Sequence, residues 1–107
     1  MGNEIETKEM KFGQALELLK KGYRVARKGW NGKKMCIFLT KGSDVKYKDL
    51  KMHNQMALAC ARSEDINEEK EIHICDHIDM IAADGSIVIG WLASQTDMLA
   101  EDWIIIQ

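Results

Sequence analysis

The sequence predicts an α+β fold, with a small antiparallel sheet packed on one main helix in a single domain spanning residues 1–107. Two observations lead to this class. An apolar stripe of helical period lies near the N-terminus, and short apolar segments separated by turn residues follow it. The length permits a modest core but is marginal for a lone monomer. Residues 1–9 are mostly polar, and we expect them to form a flexible N-terminus.

The main helix is predicted from four apolar residues that recur at i, i+3, i+4 and i+7: Phe12, Ala15, Leu16 and Leu19. Gly22 ends this helix as a cap, because glycine accepts the left-handed conformation found there. Residues 23–28 then alternate as a strand, and residues 34–40 return as a strand that is apolar on both faces and therefore central. Between them, "GWNG" at 29–32 predicts a tight turn.

The second half of the chain predicts a further helix and several strands. Segment 47–63 predicts a helix, with four residues along one side: Met52, Met56, Ala59 and Cys60. The charged segment 64–71 predicts a loop, and residues 72–91 predict one long hairpin with its turn at 83–86. Residues 94–100 predict about two helical turns capped by Ser94 or Thr96, and residues 103–106 predict a closing strand.

Composition and charge are those of an ordinary globular protein, with 46% hydrophobic residues, 30% charged residues and a net charge of −2. No apolar run approaches the roughly 18 residues of a membrane span, and the polar N-terminus is unlike a secretory signal. Three widely spaced cysteines fit reduced thiols better than a disulfide framework. We therefore expect a cytoplasmic protein that binds neither a membrane nor a nucleic-acid polymer.

The charges are unevenly distributed along the chain. Residues 18–43 contain bases and no acid, whereas residues 63–79 contain seven acids against one lysine, so the sign of the charge reverses. A solvated charged face explains either run. A local anion site for phosphate explains the basic run equally well.

Residue types that could serve catalysis or bind metal occur without a recognisable setting. His73, Cys75 and His77 share a face if their segment is extended, but alternate strand residues spread too widely to converge on one metal. Surface or interface histidines are the favoured interpretation. The sequence contains no nucleophile motif and no glycine-rich phosphate loop. We predict no catalytic residue, no metal site and no cofactor.

Two aromatic–polar clusters remain, "RKGWNG" at 27–32 and "WLASQTD" at 91–97. In the first, Trp30 can stack on a purine and Arg27 can contact a pyrophosphate. Asn31 and the backbone amides beside Gly32 can bind ribose hydroxyls or a base edge. This chemistry suits a nucleotide.

Packing in the core is the alternative for each tryptophan. It is favoured for Trp103 and evenly balanced for Trp91. Trp30, in a turn between two glycines, is the least suited to a core.

Two stretches, "MKFGQALELLKKGYRVARKGWNGK" at 10–33 and "HIDMIAADGSIVIGWLASQTDMLAEDWIII" at 77–106, resemble the Thoeris anti-defence type 2 family of phage and prophage proteins. The likeness covers about half the chain, residues 10–40 and 77–106, and the pairing of "GWNG" with "WLASQTDMLAEDW" is specific. The resemblance does not extend to residues 41–76.

The resemblance implies a sponge rather than an enzyme. Such proteins bind cyclic ADP-ribose isomers made by TIR-domain immune proteins. They hold these isomers uncleaved in the host bacterial cell, away from the effector that kills it. The resemblance also implies a sheet wrapped around a helix, homotetramers with ligand pockets at subunit interfaces and, for some members, cyclic dinucleotides at a separate site. It assigns ligand contacts to Trp91 and the polar residues after it: Ser94, Gln95, Thr96 and Asp97.

Two functions of other classes remain open. An enzyme that hydrolyses a nucleotide signal would release product with time. A small phage protein that binds protein through its tryptophans would carry no ligand through desalting.

Overall fold

The computed structural model describes residues 8–30, 34–50, 54–63 and 67–106. The chain forms two compact units. The sheet unit comprises the chain up to Thr40 and from His77 onward, and the ribbon unit is Lys41–Asp76. Helices and antiparallel strands make up the fold, so the predicted α+β class is confirmed. Among the described helices, none is long and apolar enough to cross a membrane.

The helices and strands follow one another in this order: α1 (Phe12–Lys20), β1 (Arg24–Arg27), β2 (Cys36–Thr40), β3 (Ser43–Lys46), α2 (Tyr47–Leu50), α3 (Asn54–Ser63), β4 (Glu71–Ile74), β5 (His77–Ile81), β6 (Ile87–Val88), α4 (Gln95–Leu99) and β7 (Trp103–Ile106). Of the N-terminus predicted to be flexible, residues 1–7 lie outside the described part of the chain.

Helix α1 forms where its apolar stripe predicts it. Ala15 and Leu19 on its inner side are fully buried. Gly22 has a φ of +95°, and its N–H donates to the Leu19 carbonyl at 3.0 Å. The glycine cap is therefore confirmed, because a residue with a Cβ is strained in this left-handed conformation.

The sheet unit is built on a five-stranded antiparallel sheet in the order β6-β5-β2-β1-β7. Strand β2 is central, as its apolar character on both faces predicts. Val25 pairs with Ile37 and Ile105, and Ile37 pairs with Met80, so these residues share one face of the sheet. That face packs on α1 to form the core, whose fully buried members are Ala15, Leu19, Val25, Ile37 and Trp103.

The β5–β6 hairpin and the closing strand also form where they were predicted. Asp84 accepts hydrogen bonds from the backbone N–H and the hydroxyl of Ser86, at 2.9 and 2.7 Å, and Gly85 adopts a φ of +89°. Strand β7 pairs with the whole of β1, from Arg24↔Ile106 to Arg27↔Trp103. A strand from the first part of the chain and the last strand are thereby hydrogen-bonded side by side.

The predicted long hairpin at 72–91 is wrong in its first strand. Residues 71–81 divide into β4, which pairs only with β3, and β5, which belongs to the main sheet. The break falls at Cys75–Asp76, where the Asp76 carboxylate accepts the N–H of Gly42 at 2.7 Å. A run of alternating apolar residues does not specify which sheet each residue joins, so the pattern alone could not locate this break.

The ribbon unit differs from its prediction in two respects. Strand β3 was not predicted, because its sequence "SDVK" has little apolar content. The predicted helix is present as α2 and α3, and the side on which the sequence aligns Met56, Ala59 and Cys60 is not its buried side. Met56 is 46% exposed, whereas Ala57 and Leu50 are buried; Met52 lies outside the described residues. Residues 56–61 are almost all apolar, so their periodicity fits more than one face of a helix.

Candidate functional site

Four aromatic rings of the sheet unit form one cluster. Trp103, the first residue of β7, is fully buried at its centre. The ring centroid of Trp30 lies 5.3 Å from that of Trp103, and the centroid of Trp91 lies 6.2 Å from it. Phe12, at the start of α1, lies 5.3 Å away on another side. These separations and the tilted or edge-to-face angles are those of favourable aromatic pairs.

Trp30 is more involved in packing than its sequence position predicts. It is partly buried against the core, and its ring meets Trp91 edge to face at a centroid distance of 6.3 Å. Its backbone N–H donates to the Arg27 carbonyl at 3.1 Å, which closes a turn directly after β1. Asn31 and Gly32, the other predicted ligand contacts in this turn, lie outside the described residues.

Trp91 occupies the exit from the β5–β6 hairpin. Its N–H donates to the Ile78 carbonyl at 2.7 Å, so its backbone is fixed to β5. Gly90, just before it, has a φ of +82° and turns the chain out of β6. Trp30 and Trp91 are far apart in the sequence but adjacent in the fold. Both are only partly buried. Their rings therefore combine packing with some exposed aromatic surface.

Arg27, at the end of β1, is held by two carboxylates. Its Nε donates to Asp102 Oδ1 at 2.9 Å, and one terminal nitrogen donates to Asp97 Oδ1 at 3.0 Å. The other oxygen of Asp102 accepts the N–H of Gly29 at 3.0 Å. The three charged side chains are 15–25% exposed, so water screens them only partly. We call Arg27, Asp97 and Asp102 the ion triad.

The ion triad shifts the pKa values of all three members. The pKa of Asp102 is lowered, chiefly by the hydrogen bond from Arg27 and against the opposing effect of burial. Burial of Asp97 would by itself raise its pKa, but hydrogen bonds from Arg27 and Ser94, and a smaller one from Trp30, produce a net lowering. The two carboxylates in turn raise the pKa of Arg27, Asp102 more than Asp97. All three groups are charged at neutral pH.

Ser94 and Asp97 also form the N-terminal cap of α4. The Asp97 N–H donates to Ser94 Oγ at 3.0 Å, and the Ser94 N–H donates to Asp97 Oδ2 at 3.3 Å. This reciprocal pair is a capping box, so of the two predicted caps Ser94 is correct. The indole N–H of the buried Trp103 donates to the Asp97 carbonyl at 2.9 Å. Helix α4 is thereby tied to both the core and the ion triad.

Gln95 and Thr96 are the predicted site residues that remain available. Both are exposed at the start of α4, and within the described chain no hydrogen bond engages either side chain. The sequence also predicts ligand contacts for Arg27, Ser94 and Asp97. Their predicted ligand contacts stay predictions, but the structure shows that each already makes internal hydrogen bonds.

Asp102 is a member of the site that sequence analysis missed. It stands 75 residues from Arg27 along the chain, and no spacing rule connects positions so far apart. The only signal was an acid just before the apolar strand "WIII", opposite a strand that ends in arginine. Such a pairing becomes visible only once the β1–β7 register is known.

His73 and His77 each pair with a different aspartate. In the ribbon unit, His73 Nδ1 lies 2.9 Å from Asp44, and both side chains are exposed. In the sheet unit, His77 Nδ1 lies 2.8 Å from the buried Asp79. Among the described side chains, no three histidine, cysteine or acidic groups lie close enough together to hold a metal ion.

Comparison with known proteins identifies the family of this chain. The family model for the Thoeris anti-defense 2-like domain matches residues 10–106. The chain belongs to the Thoeris anti-defense 2-like family. It is also 41% identical to Thoeris anti-defense 2 of Bacillus phage SP01 over 98 residues, which cover 92% of this chain and 96% of that protein.

The family match extends further than the resemblance on which the sequence analysis relied. That resemblance left residues 41–76 unmatched, whereas the match to the Thoeris anti-defense 2-like model spans them. The ribbon unit is therefore part of the family domain. The aromatic cluster, the ion triad and α4 all lie within the matched residues as well.

Proposed function

We propose that this chain is a phage anti-defence sponge that binds cyclic ADP-ribose-type immune signals and holds them uncleaved. By sequestering glycocyclic ADP-ribose isomers in the host cytoplasm, it blocks the TIR-dependent Thoeris response. Family membership supports the anti-defence role. The observation that carries the ligand class is the pair of half-buried tryptophans, Trp30 and Trp91, which meet edge to face, together with two exposed polar side chains that follow Trp91 in the chain, Gln95 and Thr96.

This chemistry suits a cyclic ADP-ribose isomer, which carries one adenine, ribose hydroxyls and a pyrophosphate. The exposed surface of the indoles can stack on the adenine, and such base–aromatic stacking contributes substantially to binding free energy. Gln95 offers a donor and an acceptor to a base edge, and Thr96 offers a hydroxyl to a ribose or phosphate oxygen. Arg27, Ser94 and Asp97 then serve mainly by fixing these groups in place, because their polar atoms are engaged with one another.

The first test is a capture experiment. The protein is incubated with glycocyclic ADP-ribose isomers and cyclic dinucleotides, passed through a desalting column, denatured by heat and the released compounds identified. Release of intact cyclic ADP-ribose isomer supports the sponge. Accumulation of a cleavage product with time would instead identify a hydrolase. Recovery of no nucleotide would favour a protein-binding module, and retained cyclic dinucleotide would establish a second ligand class.

The aromatic wall is tested by substitution. Trp91→Ala and Trp30→Ala are each expected to weaken binding of a glycocyclic ADP-ribose isomer, because each removes a stacking surface worth about 1–3 kcal/mol. Isothermal titration calorimetry measures the loss. Tyr23→Ala is the matched control, since Tyr23 is an aromatic residue of the sheet unit that is 49% exposed and belongs to no aromatic pair among the described residues. Equal affinities for all four proteins would place the ligand elsewhere.

We also propose that the chain works as a homotetramer, with ligand sites completed at subunit interfaces. Several large apolar side chains between β6 and the end of α4 are exposed, and we call them the apolar surface segment: Ile87, Val88, Ile89, Leu92, Met98 and Leu99. Leu92, next to Trp91, is 89% exposed. Apolar surface of this kind on a small chain supports association with further copies.

A further inference from the structure

Asp79 is the one buried charged side chain in the described part of the chain. It lies in the middle of β5 and is only 3% exposed. Its cross-strand partner is Phe38, and its neighbours Ile78 and Met80 point to the opposite face, toward the core under α1. A buried carboxylate is costly unless hydrogen bonds replace the water it has lost. Its presence in a strand that is otherwise mostly apolar therefore requires a reason.

Three donors satisfy this carboxylate. One oxygen accepts the Thr40 hydroxyl at 2.5 Å, and the other accepts the Gly90 N–H at 2.9 Å and meets His77 Nδ1 at 2.8 Å. Burial would raise the pKa of Asp79, but these hydrogen bonds outweigh it and lower the pKa. An ionised carboxylate can only accept hydrogen bonds, so Nδ1 of His77 carries the proton that they share.

The contact with Gly90 lies where the β5–β6 ladder stops. The last regular pair is Met80↔Val88, after which the chain bends at Gly90. Here the Asp79 side chain accepts an N–H that no strand carbonyl receives. One residue later, the Trp91 N–H returns to the Ile78 carbonyl on β5. The carboxylate thus fixes the bend that immediately precedes Trp91.

We propose that Asp79 is a positioning residue for Trp91, which it holds at the angle required for the aromatic wall by anchoring Gly90. This inference rests on the proposed function insofar as Trp91 is taken to contact the ligand. Thr40 and His77 are the supports of this anchor: they complete the hydrogen bonding of Asp79 from β2 and from its own strand. Asp79 itself does not touch the ligand.

The ligand-free protein provides the first test. Asp79→Asn places an amide where the carboxylate accepts three donors, so it cannot satisfy Thr40, His77 and Gly90 together. We expect the indole N–H resonance of Trp91 to shift and the amides of Gly90 and Trp91 to exchange faster with deuterium. Asp44→Asn is the matched control, because Asp44 also pairs with a histidine Nδ1 at 2.9 Å but is exposed and lies in the ribbon unit. Unchanged Trp91 signals in Asp79→Asn would overturn the inference.

Binding provides the second test, through a double-mutant cycle with Trp91→Ala and glycocyclic ADP-ribose as the probe. In the parent background, Asp79→Asn is expected to weaken binding roughly tenfold, as displacement of a stacking surface does. In the Trp91→Ala background it should have no further effect, because Asp79 acts through that ring. Additive losses would indicate a general structural role and overturn the positioning role.

Two further outcomes are distinguishable. If the parent does not bind glycocyclic ADP-ribose, the proposed function fails, while the ligand-free Trp91 signals still decide whether Asp79 positions the ring. If Asp79→Asn does not fold, Thr40→Val removes one donor at nearly constant side-chain volume. It should then shift the same Trp91 resonance by a smaller amount. A Trp91 resonance unmoved by Thr40→Val in that case counts against the inference.

Discussion

The interactions of Arg27 in the structure differ from the role that its sequence context predicts. In the sequence it stands in a basic run beside Trp30 and suggests a contact with a pyrophosphate. In the structure, Asp97 and Asp102 bind two of its nitrogens. Both partners are partly buried, so removal of one would leave a poorly solvated charge behind. Arg27 therefore contributes to the site by holding Asp97 of α4 and Asp102 in place.

Asp97→Asn should consequently affect both folding and binding. The substitution removes charge from the contact with Arg27 and weakens the capping box with Ser94. We expect a lower Tm of the ligand-free protein together with weaker binding of glycocyclic ADP-ribose. Differential scanning fluorimetry and calorimetry measure the two effects. Weaker binding with an unchanged Tm would instead show that Asp97 contacts the ligand and contributes little to the frame.

Position 42 in the ribbon unit requires glycine because there is no space for a Cβ atom. A Cβ built at this position would lie 1.8 Å from the backbone oxygen of Ile74, which cannot rotate away. Gly42→Ala should therefore destabilise the ribbon unit, with faster hydrogen exchange in β3 and β4. Gly13→Ala is the control: nothing lies within 4 Å of the new Cβ in α1, and alanine should stabilise the helix by about 0.5–1 kcal/mol. Equal exchange rates in the parent and Gly42→Ala would refute the steric requirement.

At the scale of elements, α4 links the core to the proposed ligand surface. It is only five residues long, so its own propensity cannot maintain it. The capping box at its start, the ion triad behind it and the Trp103 indole bond hold it instead. The exposed side chains of Gln95 and Thr96 in its first turn are not needed to hold the helix and can contact a ligand.

Ser94→Ala and Gln95→Ala should separate these two roles. Ser94→Ala is expected to lower the free energy of unfolding by about 1 kcal/mol, the usual cost of losing a helix cap. Gln95→Ala should leave unfolding almost unchanged, because within the described chain the Gln95 side chain has no hydrogen bond to lose, and it should weaken ligand binding. Urea denaturation and calorimetry on both variants provide the comparison. The reverse pattern would assign the ligand contact to Ser94 and a structural role to Gln95.

At the scale of the whole molecule, stability depends on buried and half-buried carboxylates. Asp79, Asp97 and Asp102 all have lowered pKa values in the folded protein. The unfolded chain therefore binds more protons than the folded one as the pH falls below the ordinary aspartate pKa of about 4. Their stabilising contribution is fully present above that pH and is lost as the pH falls through the folded pKa values.

Thermal unfolding as a function of pH tests this linkage. The Tm should be nearly constant from neutral pH to about pH 5 and fall steeply below about pH 4. Asp102→Asn should start from a lower Tm and lose less of it on acidification, since it lacks one of the shifted groups. A parent and a variant with parallel Tm curves would show that Asp102 does not contribute to the acid sensitivity.

Association with further copies also belongs to this scale. Light scattering of the parent should give a mass about four times that of the 12.2 kDa chain. Replacement of Ile89 and Leu92 together by serine should reduce that mass, because both side chains are exposed in the apolar surface segment. Met56→Ser is the control, as Met56 is an exposed apolar residue of the ribbon unit. A parent that remains monomeric at micromolar concentration would exclude the tetramer.

Features with local causes could be predicted from the amino-acid sequence. The apolar stripe and glycine cap of α1, the hairpin turn at 83–86 and the Ser94 cap of α4 depend on residues within about one or two turns of each other. Pairings between residues far apart in the chain became apparent only from the fold. The sheet register places Arg27 beside Asp102, 75 residues away, and Thr40 beside the buried Asp79, while the packing of α4 places Arg27 beside Asp97, 70 residues away. Such contacts depend on which strands become neighbours, and a sequence pattern of period two or 3.6 carries no information about that choice.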